Sequence, residues 1–190
     1  TEQLRGFGKR LRWFLDNRAD LARHVSYMVR GGKDRRLLAI PSRERLERVL
    51  SRLFDEDEFL SPYGIRSLSR AHRDAPFEFS LDGHTQRVAY VPGESDSGMF
   101  GGNSNWRGPV WLPMNWLIIE ALERYHYFYG DDLRVECPRG SGRFVDLKEA
   151  AAEIARRLVR LFVPGEDGRR PFQSGDPRLT GDAWRDLLQF

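Results

Sequence analysis

The segment just before the most apolar stretch of this sequence combines aromatic rings with fixed hydrogen-bond donors. Trp106 and Trp111 offer flat apolar faces, while Asn105 and Arg107 offer an amide and a guanidinium group. Flat aromatic faces suit the C–H face of a sugar ring, and the polar groups suit its hydroxyls or a carboxylate. Gly108 lacks a side chain, so the backbone there can approach a ligand closely. These residues predict a carbohydrate-binding loop.

A second interpretation of the same residues is a packed loop without a ligand. The tryptophans would then fill gaps between helices, and Arg107 would pair with a carboxylate of the chain. Glu94 and Asp96 flank the loop and could hold Arg107, a sugar hydroxyl or the loop itself. Residue types alone leave both interpretations open.

Another candidate site residue is Tyr63, which follows Pro62 and precedes Gly64. A turn at this point would place the phenol at the rim of a cavity. A core tyrosine with a satisfied hydroxyl is the alternative.

Catalytic carboxylates and metal ligands are not evident. The acidic run at residues 55–58 is typical of a solvated helix end. The four histidines lack ligand spacing, and Cys137, the sole cysteine, is expected to be a buried structural thiol. We predict neither a metal site nor a cofactor.

Apolar spacing predicts a series of helices that would position these loops. Residues 7–28 predict one broken helix or a pair, and Pro41 and Ser42 begin an amphipathic segment. Pro109 begins the most apolar helix, which we expect to be buried on nearly every side. A final helix spans residues 147–162, with Asp146 as its N-cap. The fold class is all-α, with long loops, a short strand near residues 87–91 and a hairpin-like loop after residue 134.

Composition excludes several classes of protein. A hydrophobic fraction of 40% with 31% charged residues is typical of a globular chain. No segment reaches the roughly 18 apolar residues of a membrane span, and residues 2–10 lack the apolar core of a signal peptide. We therefore expect a cytoplasmic protein that does not bind membranes. The net charge of +3 is spread along the chain, which argues against a nucleic-acid partner.

Two sequence blocks carry a resemblance to a known family. NSNWRGPVW at 103–111, followed by MNWLIIEAL, closely resembles the signature of glycoside hydrolase family 63, and EFLSPYGIRSLS at 58–69 resembles a second block of its bacterial branch. The resemblance continues through residues 90–102 and 121–142, and again in AWRDLLQF at 183–190. It extends over essentially the whole chain.

The resemblance implies part of an (α/α)6 toroid with one or two short β-hairpins, and hydrolysis of α-linked glucosides or mannosides, including oligosaccharides and glycosylglycerates. Inversion needs an acid and a base about 6.5–9.5 Å apart. In the family the acid is an upstream aspartate and the base a glutamate, expected here beyond Phe190. The implied substrate-binding residues are Tyr63, Gly64, Asn105, Trp106, Arg107, Gly108 and Trp111.

We therefore expect residues 1–190 to be a piece of one catalytic domain, truncated at both ends, inactive alone and prone to self-associate through exposed apolar helix faces. A non-catalytic carbohydrate-binding or structural helical domain is the main alternative. A nucleic-acid adaptor is a third, which would bind DNA with steep salt dependence.

Overall fold

The computed structural model describes residues 4–23, 26–29, 36–91, 109–173, 177–179, 181 and 184. The chain divides into two compact units, residues 1–49 and residues 50–190. No helix in the described ranges is both long enough and apolar enough to cross a membrane.

The first unit contains helices and one hairpin. Its elements are α1 (Arg5–Asn17), α2 (Ala19–Ala22), β1 (Ser26–Val29) and β2 (Arg36–Ala39). The predicted break within residues 7–28 is confirmed, because Arg18 has non-helical dihedrals and its side chain pairs with Asp20. The prediction of helix through Met28 is wrong, since residues 26–29 pair antiparallel with residues 36–39. That pairing depends on a partner about ten residues away, which helical spacing does not detect.

The next helix, α3 (Arg43–Leu53), follows Pro41 and Ser42 as predicted. Leu46 and Leu50 lie one turn apart on its buried face, and Phe54, just after the helix, is fully buried. Val49 is exposed, although its spacing from Leu46 would also place it on this face of the helix. The buried face of α3 is therefore narrower than the spacing of its apolar residues indicates.

Two hairpins follow in the second unit. Strands β3 (Leu60–Ser61) and β4 (Gly64–Ile65) form a very short one, and β5 (Phe77–Leu81) and β6 (His84–Val88) form a longer one. The predicted strand at residues 87–91 thus lies several residues earlier. Asp82 and Gly83 have positive φ angles of 50° and 77°, as a two-residue hairpin turn requires. The Asp-Gly pair was the missed signal.

Helix α4 (Leu112–Tyr129) begins three residues later than predicted. The carbonyl of Pro109 accepts a hydrogen bond from the Ser67 amide at 2.8 Å, so Pro109 belongs to the approaching loop. The helix is also less buried than predicted. Met114, Trp116, Leu117 and Tyr127 are all more than two-fifths exposed.

A short 3-10 turn leads from α4 to the hairpin of β7 (Arg134–Glu136) and β8 (Phe144–Asp146), and then to α5 (Leu147–Val159). The Asp146 N-cap is confirmed. Its carboxylate accepts from the Glu149 amide at 2.8 Å, and the Glu149 carboxylate accepts from the Asp146 amide at 3.2 Å.

Helices α4 and α5 pack against each other and run antiparallel. His126, in the last turn of α4, lies 3.6 Å from Asp146 at the start of α5. The core of the second unit lies between these helices and the hairpin that joins them. Its members include Leu122, Phe128, Leu133, Val145, Leu147 and Ile154, all less than 7% exposed.

The described elements are thus helices and four antiparallel β-hairpins. This is more hairpins than the one or two expected. This arrangement is compatible with a partial helical fold.

Cys137 is buried in this core, as predicted. Burial raises the pKa of its thiol to about 11, so the reactive thiolate is scarce at pH 8. We expect Ellman's reagent to label the native chain very slowly and to label it at once in urea. Because Cys137 is the sole cysteine, Cys137→Ser is a blank control. Rapid labelling of the native chain would contradict the buried position.

Candidate functional site

The β3–β4 hairpin presents Tyr63 at its tip. The Ser61 hydroxyl donates to the Gly64 carbonyl at 2.7 Å and accepts from the Tyr63 amide at 3.1 Å. The Ser61 side chain therefore stabilises the turn through hydrogen bonds to both Tyr63 and Gly64. The Tyr63 side chain remains 37% exposed at the tip.

Gly64 lies where the start of α4 meets the end of α5. Its φ angle is 121°, and a Cβ added to it would lie 2.7 Å from Leu158 Cδ2 and 3.0 Å from Asn115 Oδ1. A residue with a side chain would be strained at this φ and would also overlap these neighbours. Glycine is therefore needed for the hairpin to rest between the two helices.

Asn115, in the first turn of α4, holds the hairpin from one side. Its Oδ1 accepts from the Ile65 amide at 2.7 Å, and its Nδ2 donates to the Ile65 carbonyl at 3.0 Å. The same Nδ2 donates to the Trp111 carbonyl at 3.0 Å. Asn115 is 1% exposed, so these bonds are made away from water.

Arg157, in the last turns of α5, holds the hairpin from the other side. Its guanidinium donates to the Ser61 carbonyl at 2.9 Å and to the carboxylates of Glu56 and Glu153 at 2.8 and 3.0 Å. Burial alone would raise the pKa of Glu153, but hydrogen bonds from Arg156 and Arg157 outweigh it and hold that pKa below its ordinary value. Both ends of the buried ion pair are therefore charged at neutral pH.

A third buried polar residue, Arg66, organises the approach to the hairpin. One of its guanidinium nitrogens donates to the carbonyls of Glu56, Glu58 and Leu60, at 2.8–3.0 Å. Its side chain also lies 5.9 Å from the centre of the Tyr90 ring. The Arg66 side chain thus holds the backbone of the loop between α3 and β3 in place.

Tyr63 lines an open cleft of about 350 Å³ at the end of α5. Three arginines and one aspartate also line it: Arg160, Arg169, Arg170 and Asp167. The cleft therefore carries an excess of positive charge beside an aromatic ring. Such a lining suits a sugar that bears a carboxylate.

The structure places the predicted residues Tyr63, Gly64 and Trp111 near the same end of the α4–α5 pair. Trp111 is the N-cap residue of α4 and is partly buried. Asn105, Trp106, Arg107 and Gly108 lie outside the described residues, as do Glu94 and Asp96.

The acidic run at residues 55–58 is engaged in ion pairs rather than simply solvated. Asp55 pairs with Arg139 at 2.8 Å, Glu56 with Arg157 at 2.8 Å, Glu58 with Arg52, and Asp57 with Arg70 at 3.4 Å. Only Asp57 keeps a side chain that is 92% exposed. In the described part of the chain, no cluster of three histidine, cysteine, aspartate or glutamate residues could hold a metal ion.

Sequence reasoning assigned no role to Asn115, Arg66 or Arg157. Signals for two of them were present: Asn115 interrupts an apolar helix, and Arg157 falls on the apolar stripe of α5, three residues after Ile154. A polar residue at a core position of a helix needs buried partners.

Comparison with known proteins places the chain in a family. Residues 37–168 match the mannosylglycerate hydrolase MGH1-like glycoside hydrolase domain. The uncharacterized protein YMR196W of Saccharomyces cerevisiae is 53% identical over the whole chain, which spans 18% of that protein. No solved structure matches the chain.

Two glucosidases match shorter stretches. The probable mannosyl-oligosaccharide glucosidase of Schizosaccharomyces pombe is 36% identical over 41% of the chain. The mannosyl-oligosaccharide glucosidase of Saccharomyces cerevisiae is 30% identical over 44% of the chain. Each match covers 7% of the glucosidase. The predicted resemblance to glycoside hydrolase family 63 is confirmed, and the chain belongs to the MGH1-like glycoside hydrolase family.

Proposed function

We propose that the protein containing this chain is an inverting α-glycosidase that releases glucose or mannose from oligosaccharides or glycosylglycerates. The match of residues 37–168 to a glycoside hydrolase domain carries this proposal. The relatives named mannosyl-oligosaccharide glucosidases support glucose-containing oligosaccharides among the substrates. The arginine-rich cleft beside Tyr63 supports a substrate that carries a carboxylate, as glycosylglycerates do.

In this proposal the chain supplies part of the sugar-binding cavity, and the catalytic acid and base come from other parts of the protein. Residues 1–190 would form a piece of an (α/α)6 toroid and would be inactive alone. The exposed apolar side chains of α4 support self-association of the isolated chain. We further propose that the protein is cytoplasmic and uses neither a nucleic-acid nor a membrane partner.

The test is an assay of the full-length protein beside residues 1–190. The substrates are glucosylglycerate, mannosylglycerate, and α-glucosyl and α-mannosyl oligosaccharides, and the signal is release of the monosaccharide. We expect Trp106→Ala and Arg107→Ala to remain folded and to lose most activity, because each removes a group predicted to contact the sugar.

Trp13→Ala is the matched control for loss of a tryptophan, because Trp13 is 60% exposed in the first unit. It should retain activity. No release from any substrate by the wild-type protein would contradict the proposal and favour a non-catalytic carbohydrate-binding or structural domain.

A further inference from the structure

Asn115 is a buried polar residue placed between two predicted sugar-contacting segments. It lies 50 residues from Ile65 in the sequence, yet makes two hydrogen bonds to that residue's backbone. A buried side-chain amide costs free energy unless its donors and acceptor are paired. Here Oδ1 has one partner and Nδ2 has two, so the amide is well satisfied.

The two bonds to Ile65 have the same pattern as the bonds that a neighbouring strand would make. Within an antiparallel pair, the N–H and C=O of one residue point to the same side of the strand. Both groups of Ile65 are taken by Asn115, which therefore occupies the edge of β4 as a neighbouring strand would. This pairing fixes the position of β4 along α4 as well as its distance from the helix.

The third bond connects this arrangement to Trp111. The Asn115 Nδ2 donates to the Trp111 carbonyl, which also accepts from the Asn115 amide at 3.1 Å. A single side chain thus ties the N-cap residue of α4 to the strand that follows Tyr63 and Gly64.

We propose that Asn115 is a positioning residue that holds Trp111 and the Tyr63–Gly64 turn in fixed relative positions for sugar binding. This inference rests on the proposed function. Asn115 does not need to touch the sugar, because it acts through the backbone of Ile65 and Trp111. Displacements of about 1 Å at a binding site can lower catalytic efficiency by about 100-fold.

Neither aspartate nor leucine reproduces these bonds. Aspartate keeps an acceptor for the Ile65 amide but lacks both donors, and leucine has a similar size but leaves both backbone groups of Ile65 unpaired. Asn115→Asp and Asn115→Leu are therefore the informative substitutions.

The experiment measures kcat and KM of the full-length protein on the best substrate of the panel above, well below the melting temperature of every variant. Leu122→Ala is the matched control, because Leu122 is 2% exposed and lies on the same helix, about 10 Å further along its axis than Asn115. It should lower the melting temperature without changing kcat/KM. We expect both Asn115 variants to lose about 10- to 100-fold in kcat/KM while folded.

The outcomes separate the two proposals. If the Asn115 variants lower the melting temperature but keep the kcat/KM of Leu122→Ala, Asn115 is only structural and the positioning role is overturned, while the proposed function stands. If the wild-type protein releases no sugar, both proposals fail.

Discussion

Replacement of Gly64 by alanine should lower the free energy of unfolding of the chain by about 4 kcal/mol, since backbone strain and overpacking each cost about 1–3 kcal/mol. The strain arises at a φ of 121°. The overpacking arises because the new Cβ would lie 2.7 Å from Leu158 and 3.0 Å from Asn115. Asn115 cannot withdraw freely, because it is held by the Ile65 backbone, whereas Leu158 can relieve its contact only by rotating its side chain out of its place in α5. Urea unfolding of the variant and wild type measures the difference.

Gly140→Ala separates the two causes. Gly140 also has a positive φ, 79°, but a Cβ there would meet nothing within 4 Å. This control carries only the backbone cost, about 1–2 kcal/mol. Equal losses of unfolding free energy for the two variants would show that the β3–β4 hairpin does not pack tightly between α4 and α5.

The second large effect is expected for Arg157→Met, which should cost about 3 kcal/mol, at the lower end of the range for breaking a buried ion pair. The substitution keeps an unbranched side chain but leaves Glu153, whose side chain is 12% exposed, without its buried partner, and leaves the Ser61 carbonyl without its guanidinium donor. The loss of stability is limited because Glu153 keeps its ion pair with Arg156. Urea unfolding at pH 7 again measures the loss.

Arg156→Met is the matched control. Arg156 also pairs with Glu153, at 2.8 Å, but its side chain is 56% exposed, so the cost should be about 0–1 kcal/mol. If the two arginine variants lower the free energy of unfolding equally, the buried position of Arg157 adds nothing to the stability of the chain.

The pH dependence of stability provides a separate check of this network. The folded-state pKa of Glu153 is lowered. Its contribution to stability is therefore complete above the ordinary glutamate pKa of about 4.3. It is lost as the pH falls through the lower folded-state value. Arg157→Met should weaken this acid dependence, because it removes one of the groups that lower the pKa.

Elements with local signals were predictable from the sequence. Asp146, placed just before the apolar spacing of residues 147–162, predicted the start of α5 correctly, and the structure adds a capping box with Glu149. The pattern after Pro41 likewise predicted α3. Strand β1 was missed, because Met28 continues the helical spacing of residues 7–25, and only pairing with residues 36–39 distinguishes a strand there.

The sequence offered candidate site residues only where a motif marked them. Tyr63, Gly64 and Trp111 came from their residue types and the family resemblance, and the structure places them near one end of the α4–α5 pair. Asn115 and Arg157 were missed because their partners, Ile65 and Ser61, lie 50 and 96 residues away. Hydrogen bonds over such separations leave no periodic pattern in the sequence.

These long separations also bear on the order in which the chain acquires its structure. Helices α4 and α5 are joined by a short hairpin, so their pairing closes a small loop and is expected early in folding. The β3–β4 hairpin has only two residues in each strand and depends on Asn115 and Arg157, so it gains its place only after that helix pair exists. We expect the Tyr63 turn to be acquired last and, in native-state hydrogen exchange, to open before the helices beneath it.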